Sequence, residues 1–166
     1  MGLDPTAFEI DFDPLKRRMS GFAIHGDTAF DVPFISHIEG NLWTGGCTNG
    51  LILPYEFKHV VSLYPWERYT LPPNNDALRS ETYWYIYDAD VPSNIATIVR
   101  EARRRVHDGP TLIHCQAGLN RSGLVAALLL VQNGMSPNRA INLLRRRRSH
   151  AVLCNPVFEE YVRSFQ

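Results

Sequence analysis

The chain has 166 residues, of which 45% are hydrophobic and 20% charged, with 17 Lys and Arg set against 17 Asp and Glu. These proportions are ordinary for a soluble globular protein, and the length is that of one domain able to bury a core without disulfide or metal staples. No apolar run is long enough to span a bilayer.

The balanced charge hides an asymmetry. Residues 1–110 hold ten Lys and Arg against fifteen Asp and Glu, whereas residues 111–166 hold seven against two, so the last part of the chain favours anions. Cys47, Cys115 and Cys154 give neither metal-ligand spacing nor an even disulfide set. The six histidines are scattered, and no metal site is expected. Met1–Thr6 lacks the basic-then-apolar pattern of a secretory signal, so the expected location is cytoplasmic. Gly2 with Thr6 formally allows myristoylation, which the intervening Asp4 and Pro5 argue against.

Residues 1–32 read as an N-terminal extension that mixes acidic residues with Lys16-Arg17-Arg18 and shows little periodicity; residues 33–166 read as the main domain. Phe34 to Gly46 reads as strand, turn and strand. His59 to Tyr64 is a buried strand, followed by a loop over residues 65–81 that contains Leu71-Pro72-Pro73-Asn74-Asn75. The aromatic run Tyr83-Trp84-Tyr85-Ile86-Tyr87 predicts a strand. Asp88 and Asp90 open the loop after it, and Ser93 is placed to cap a helix whose Ile95, Ile98, Val99, Ala102 and Val106 share one face.

Thr111 to Ile113, after the turn signal Asp108-Gly109-Pro110, predicts a short buried strand. From about Arg121 the chain is apolar all round until Gly134, which predicts a buried helix with a glycine stop. Ser136-Pro137 starts a further helix with Ala140, Ile141, Leu143 and Leu144 inward. It ends in Arg145-Arg146-Arg147-Arg148, whose consecutive residues face different directions. That run is expected to be a solvated face with one or two buried ion pairs, or else a contact with an anionic substrate or partner; Arg100, Arg103, Arg104 and Arg105 carry the same ambiguity. Asn155-Pro156 opens a last amphipathic helix with Tyr161, Val162 and Phe165 inward.

The stretch Ile113-His114-Cys115-Gln116-Ala117-Gly118-Leu119-Asn120-Arg121-Ser122-Gly123 carries the chemistry. A strand–loop–helix joint of this kind turns backbone N–H groups inward and adds the partial positive charge of a helix N-terminus, so it holds an anion. Cys115 sits at the floor of that cradle, where a thiolate can attack phosphorus. Arg121 is the only cation inside the loop, and its planar fork can hold two phosphate oxygens. Ser122 can donate its hydroxyl to the sulfur and steady it as a leaving group. His114 is expected to brace the loop rather than touch substrate, and Gln116, Ala117, Gly118, Leu119 and Asn120 supply its backbone. Ester cleavage also needs an acid for the leaving oxygen, and Asp88 and Asp90 stand at the same sheet edge.

His114-Cys115, five residues, then Arg121-Ser122 resembles the signature of the cysteine-dependent protein tyrosine phosphatases, in particular the compact dual-specificity group. The resemblance covers roughly residues 33–166. It implies an α/β fold with a central, mostly parallel, twisted sheet of about five strands flanked by helices, and a catalytic domain over 33–166. It also implies a general acid on the loop before a Pro-Ser-like helix start, a place that Asp88 matches best, with Asp90 two residues away as the competitor.

The implied activity is hydrolysis of phosphotyrosine, and of phosphoserine and phosphothreonine, on protein substrates through a phospho-cysteine intermediate. It needs no cofactor and no metal and involves no membrane. The absence of a long inserted recognition loop favours dual specificity. Tyr64, Trp66 and Tyr69 are placed either to wall the cleft or to fill the core. Two alternatives remain. One is an RNA 5′-triphosphatase or phosphatase, because Leu119-Asn120-Arg121 resembles the cradle of the cysteine phosphatases that act on RNA ends, although Ala117 stands where their pattern has histidine. The other is a phosphoinositide phosphatase, although Gln116, Leu119 and Asn120 are neutral where lipid-directed relatives carry lysines.

Overall fold

Two strands without a single exposed residue run through the middle of the molecule: β6 (His59–Ser62) and β8 (Thr111–His114) are buried at every position. Such runs belong to parallel strands covered on both faces. In the computed structural model, which describes residues 9–23 and 27–165, they form the centre of a five-stranded sheet. The reading of Met1–Thr6 lies outside the described residues.

β4 (Ile35–Glu39) and β5 (Leu42–Gly45) are an antiparallel hairpin, and β7 (Ser80–Tyr83) closes the other side, in the order β4-β5-β8-β6-β7. The pairings β5–β8, β8–β6 and β6–β7 are parallel. This is the mostly parallel α/β sheet that the sequence implies. Its helices are α1 (Ile95–Asp108), α2 (Arg121–Gln132), α3 (Pro137–Arg147) and α4 (Pro156–Arg163).

Helix α2 organises the packing. Every residue from Arg121 to Leu130 is buried, and α2 touches α1, α3 and α4 as well as β5 and β8. Its aliphatic side chains each gain about 1.5–3 kcal/mol from leaving water, which is why this segment reads as apolar all round. Gly134 ends it at φ 99°, a conformation that favours glycine. Ser136 caps α3 by accepting from the Arg139 N–H, and Asn155 caps α4 by accepting from Val157.

Two local expectations are corrected. The strand predicted over Tyr83–Tyr87 lies earlier, because its partner β6 ends at Ser62, paired with Tyr83. Trp84 and Ile86 donate to the carbonyls of Ser62 and Leu63 (2.8 and 3.4 Å), while Tyr85 and Tyr87 face solvent. Asn94, not Ser93, holds the cap position of α1, and it makes no side-chain cap bond.

The N-terminal segment forms a second, antiparallel sheet of β1 (Glu9–Asp13), β2 (Arg18–Ala23) and β3 (Thr28–Pro33). Met19, Ala23, Phe30 and Val32 belong to the same buried cluster as the residues of the main sheet. The Phe34 N–H donates to the Arg17 carbonyl (3.1 Å), which ties β4 to the turn before β2.

Candidate active site

The parallel strands β5, β8 and β6 end together, with Gly45, His114 and Ser62 in register. The loop of residues 115–120 leaves this edge and runs into α2. Its carbonyls explain its shape. The carbonyl of Gln116 accepts from the Cys47 N–H (3.0 Å), and that of Leu119 from the Leu153 N–H (3.1 Å). Those of Ala117 and Gly118 accept from Arg148 Nη2 (3.1 Å) and Nε (2.8 Å). Four successive carbonyls are thus held from outside the loop. In a planar trans peptide the N–H points opposite to the C=O, so the following N–H groups face the concave side, above Cys115.

Gly118 makes this possible. Its φ is 72°, and a Cβ there would lie 2.6 Å from the Gly45 carbonyl oxygen and 2.7 Å from Arg148 Nη2. Leu153, whose N–H holds Leu119, itself adopts φ 59°, a conformation that costs a leucine about 1–3 kcal/mol.

Cys115 is 1% exposed. Its Sγ lies 3.3 Å from Ser122 Oγ, on the first turn of α2, where the helix N-terminus contributes partial positive charge. Arg121 is fully buried, with its guanidinium 4.7 Å above the Tyr64 ring. His114 lies beneath the loop, edge-on to Tyr69 at 5.2 Å. Its Nδ1 is 3.3 Å from the Cys115 carbonyl, which can only accept, so Nδ1 is the protonated nitrogen of the neutral ring. Burial lowers the His114 pKa to about 4.

Asp88 is also fully buried. Its carboxylate accepts from Asn120 Nδ2 (3.1 Å) and Asn155 Nδ2 (3.0 Å). Asn120 is the loop residue before Arg121, so Asp88 stands at the arginine end of the cradle. Asp90, two residues on, is exposed. Of the residues singled out from sequence, the structure therefore gathers Cys115, Arg121, Ser122, His114, the 116–120 backbone and Asp88. The aromatic wall is Tyr64, Trp66 and Tyr85, in ring contact at 5.5 and 4.6 Å. Tyr69 belongs instead to the core, where its hydroxyl donates to the Gly46 carbonyl.

Two residues escaped the sequence reading. Asn155 links Asp88 to the start of α4 and, through its own N–H, to Asn120 Oδ1 (2.9 Å). Arg148 is not solvated and, among the described residues, has no ion-pair partner. It is buried and bonds the Pro33 carbonyl (2.8 Å) and Ser36 Oγ (3.0 Å) as well as the two loop carbonyls. Burial lowers its pKa to about 10, so it keeps its charge at neutral pH behind the loop. Arg145 does fit the ion-pair reading, facing Glu159 at 3.2 Å.

All three cysteines are free thiols. Burial pushes the Cys47 thiol well up and that of Cys154 to about 11, so both stay protonated at neutral pH. Among the described residues no His, Cys, Asp or Glu cluster could hold a metal ion, and no helix is long and apolar enough to cross a membrane.

The sequence model of the family described as "Dual specificity phosphatase, catalytic domain" matches residues 89–166. The rat protein named RNA/RNP complex-1-interacting phosphatase is 28% identical over 157 residues, covering 86% of this chain and 47% of its own length. Rat Cyclin-dependent kinase inhibitor 3 is 29% identical over 128 residues, covering 72% and 54%. The chain thus spans about half the length of the curated relatives it matches. Among solved structures, Tk-PTP in its active form superposes with a TM-score of 0.60 at 24% identity, over 79% of this chain and 97% of the other. Human DUSP28 gives a TM-score of 0.62 at 15% identity, over 80% and 93%.

Proposed function

The chain belongs to the cysteine-dependent protein tyrosine phosphatases, in their compact dual-specificity group, and on that premise we propose that it hydrolyses phosphate esters of phosphorylated proteins through a phospho-cysteine intermediate. The observation that carries this reading is the ring of outward-held carbonyls, which leaves a cup of N–H donors over a buried thiol. The phosphate sits in that cup, with two of its oxygens on the Arg121 fork. The sulfur of Cys115 attacks phosphorus in line. The charge that spreads over the equatorial oxygens meets donors already in place, at no cost of reorganisation.

The leaving oxygen takes a proton from Asp88, and the same carboxylate then draws a proton from the water that attacks the phospho-cysteine. In that second step sulfur is the leaving group, and Ser122 Oγ, 3.3 Å away, donates to it. Tyrosine, serine and threonine esters all enter, because among the described residues no long recognition loop deepens the cleft. A reducing cytoplasm keeps the three thiols available for this chemistry.

The test is release of phosphate from para-nitrophenyl phosphate and from phosphotyrosyl, phosphoseryl and phosphothreonyl peptides, with Cys115→Ser as control. Activity in the parent that the variant lacks supports the reading. Activity that survives the substitution excludes it.

A second reading, hydrolysis at RNA 5′ ends, is favoured by the name of the rat RNA/RNP complex-1-interacting phosphatase, 28% identical to this chain. Against it stands Asp88, which the cysteine phosphatases of RNA ends do without. A 5′-triphosphate oligonucleotide turned over faster than any phosphopeptide would reverse the order of the two.

A further inference from the structure

The catalytic loop occupies the edge where the parallel strands end. A cavity of about 630 Å³ opens at the opposite edge, lined by the last two turns of α1, the end of α2 and the start of β5. Arg100, Arg103, Arg104 and His107 line it. They stand at positions i, i+3, i+4 and i+7 of α1 and therefore form one stripe. Facing them are Asn41, just before β5, and Asn133, just after α2.

The hollow is organised rather than a loose spray of surface charge. Arg103 Nε donates to Asn133 Oδ1 at 2.7 Å, which fixes the plane of that guanidinium. Asn41 Nδ2 donates to the Val106 carbonyl at 3.1 Å, which fixes the opposite wall. Among the described residues no carboxylate lines the cavity. Glu101 pairs with Arg104 at 3.3 Å without reaching the lining, and Asp108 is bonded to His59 at 2.7 Å. Like charges at this helical spacing repel one another. Three guanidiniums share one concave surface against a single acid on its outer flank, which leaves the cluster with an excess of positive charge. Among the described residues the lining also holds no Phe, Tyr or Trp ring, whereas surfaces that track single-stranded nucleic acid stack successive bases on such rings.

Resting on the phosphoprotein reading above, we propose that this cavity is a second phosphate site, which takes another phosphorylated side chain of the same substrate protein and so selects multiply phosphorylated chains. Its position sets a spacing. The twelve residues of α2 separate the two sites by about 18 Å at ~1.5 Å per residue. An extended substrate covers ~3.3 Å per residue, so its two phosphorylated positions lie at least about six residues apart.

The experiment compares a peptide bearing one phosphotyrosine with peptides that also carry a non-hydrolysable phosphonate analogue of phosphoserine, placed from a few to a dozen or so positions away. Beyond the minimum spacing the phosphonate should raise kcat/KM up to roughly fivefold at low ionic strength, chiefly through KM, and the gain should fade at high salt. The triple variant Arg100→Ala, Arg103→Ala, Arg104→Ala should abolish the gain and leave turnover of para-nitrophenyl phosphate unchanged.

Where the phosphotyrosine peptide is turned over, no gain at any spacing overturns the proposal, as does a gain that the triple variant retains. An RNA oligonucleotide bound through these arginines, with no effect of the phosphonate, would make the cavity a nucleic-acid surface instead. Titration of the full chain with the phosphonate peptide lacking phosphotyrosine separates the two claims. Binding that the triple variant loses supports the second site even where turnover is absent, in which case only the phosphatase reading fails.

Discussion

The two loops that meet at the reaction centre are held in opposite ways. The phosphate loop is fixed through its backbone: its carbonyls at residues 116–119 are each bonded from outside, two of them by one buried arginine. The loop that carries Asp88 is held at its functional side chain instead, by the amides of Asn120 and Asn155, while Tyr85, Tyr87 and Asp90 around it face water. A cradle for charge works best when its donors do not move. An acid has to reach a leaving group and then a water, and the two amides aim the Asp88 carboxylate by holding its own side chain. On the proposed reading, the site combines a preformed anion hole with a latched proton donor.

The sharpest way to break this contrast is at Arg121. Lysine keeps the charge but loses the fork, and kcat/KM should fall roughly 10²–10³-fold. An unchanged kcat/KM for Arg121→Lys would mean that charge alone, rather than fixed geometry, does the work of the loop.

The next effect tests the brace beneath the loop. The His114 pKa, lowered to about 4 by burial, lies below the unfolded value of ~6.5. Between these values the unfolded chain binds the extra proton, so stability is full above pH ~6.5 and is lost as pH falls toward 4. The loss should approach about 3 kcal/mol. Urea unfolding across that window should show it, and His114→Gln should flatten it. An equal slope in the two proteins would refute the assignment.

The latch on the acid comes next. With Asp88→Asn, poor leaving groups should slow by about 10²-fold, while activated aryl phosphates change little; Asp90→Asn should leave both alone. The reverse pattern would move the acid to Asp90, and the latch would then be a structural tie.

What sequence could show of this site follows from how locally each part is encoded. The cradle is written in consecutive residues: a cysteine, small or neutral residues, an arginine and the start of an apolar helix. Strand, loop and helix could all be read there. The supports come from elsewhere in the chain. Arg148 reaches back 30 residues to Gly118, and Asn155 reaches 67 residues to Asp88. No periodicity links such positions, and four consecutive arginines give no sign of which one turns inward. The N-terminal sheet was less hidden: Glu9-Ile10-Asp11-Phe12-Asp13 alternates with the period of a strand, which an overall impression of acidic irregularity obscures. Strand β7 lies before the aromatic run because aromatic content marks where strand residues are favourable, whereas the length of the partner decides where pairing stops.

The smallest effect is the one most specific to the contrast between the loops. Arg148→Lys keeps a cation behind the loop but replaces a planar fork, which reaches the Ala117 and Gly118 carbonyls together with Pro33 and Ser36, by a single ammonium with three donors. The fold should survive, because charge and most of the volume remain. One or two hydrogen bonds are lost, each worth about 1 kcal/mol, and the loop carbonyls gain freedom to turn. About a tenfold loss is expected, and it should appear equally in vanadate affinity and in kcat/KM, because both depend on the same aimed N–H groups. A merely structural arginine would lower the melting temperature and leave vanadate affinity intact. That outcome would show that the loop aims its donors without help from Arg148, and the rigidity of the cradle would then have to reside in Gly118 and the Cys47 and Leu153 bonds alone.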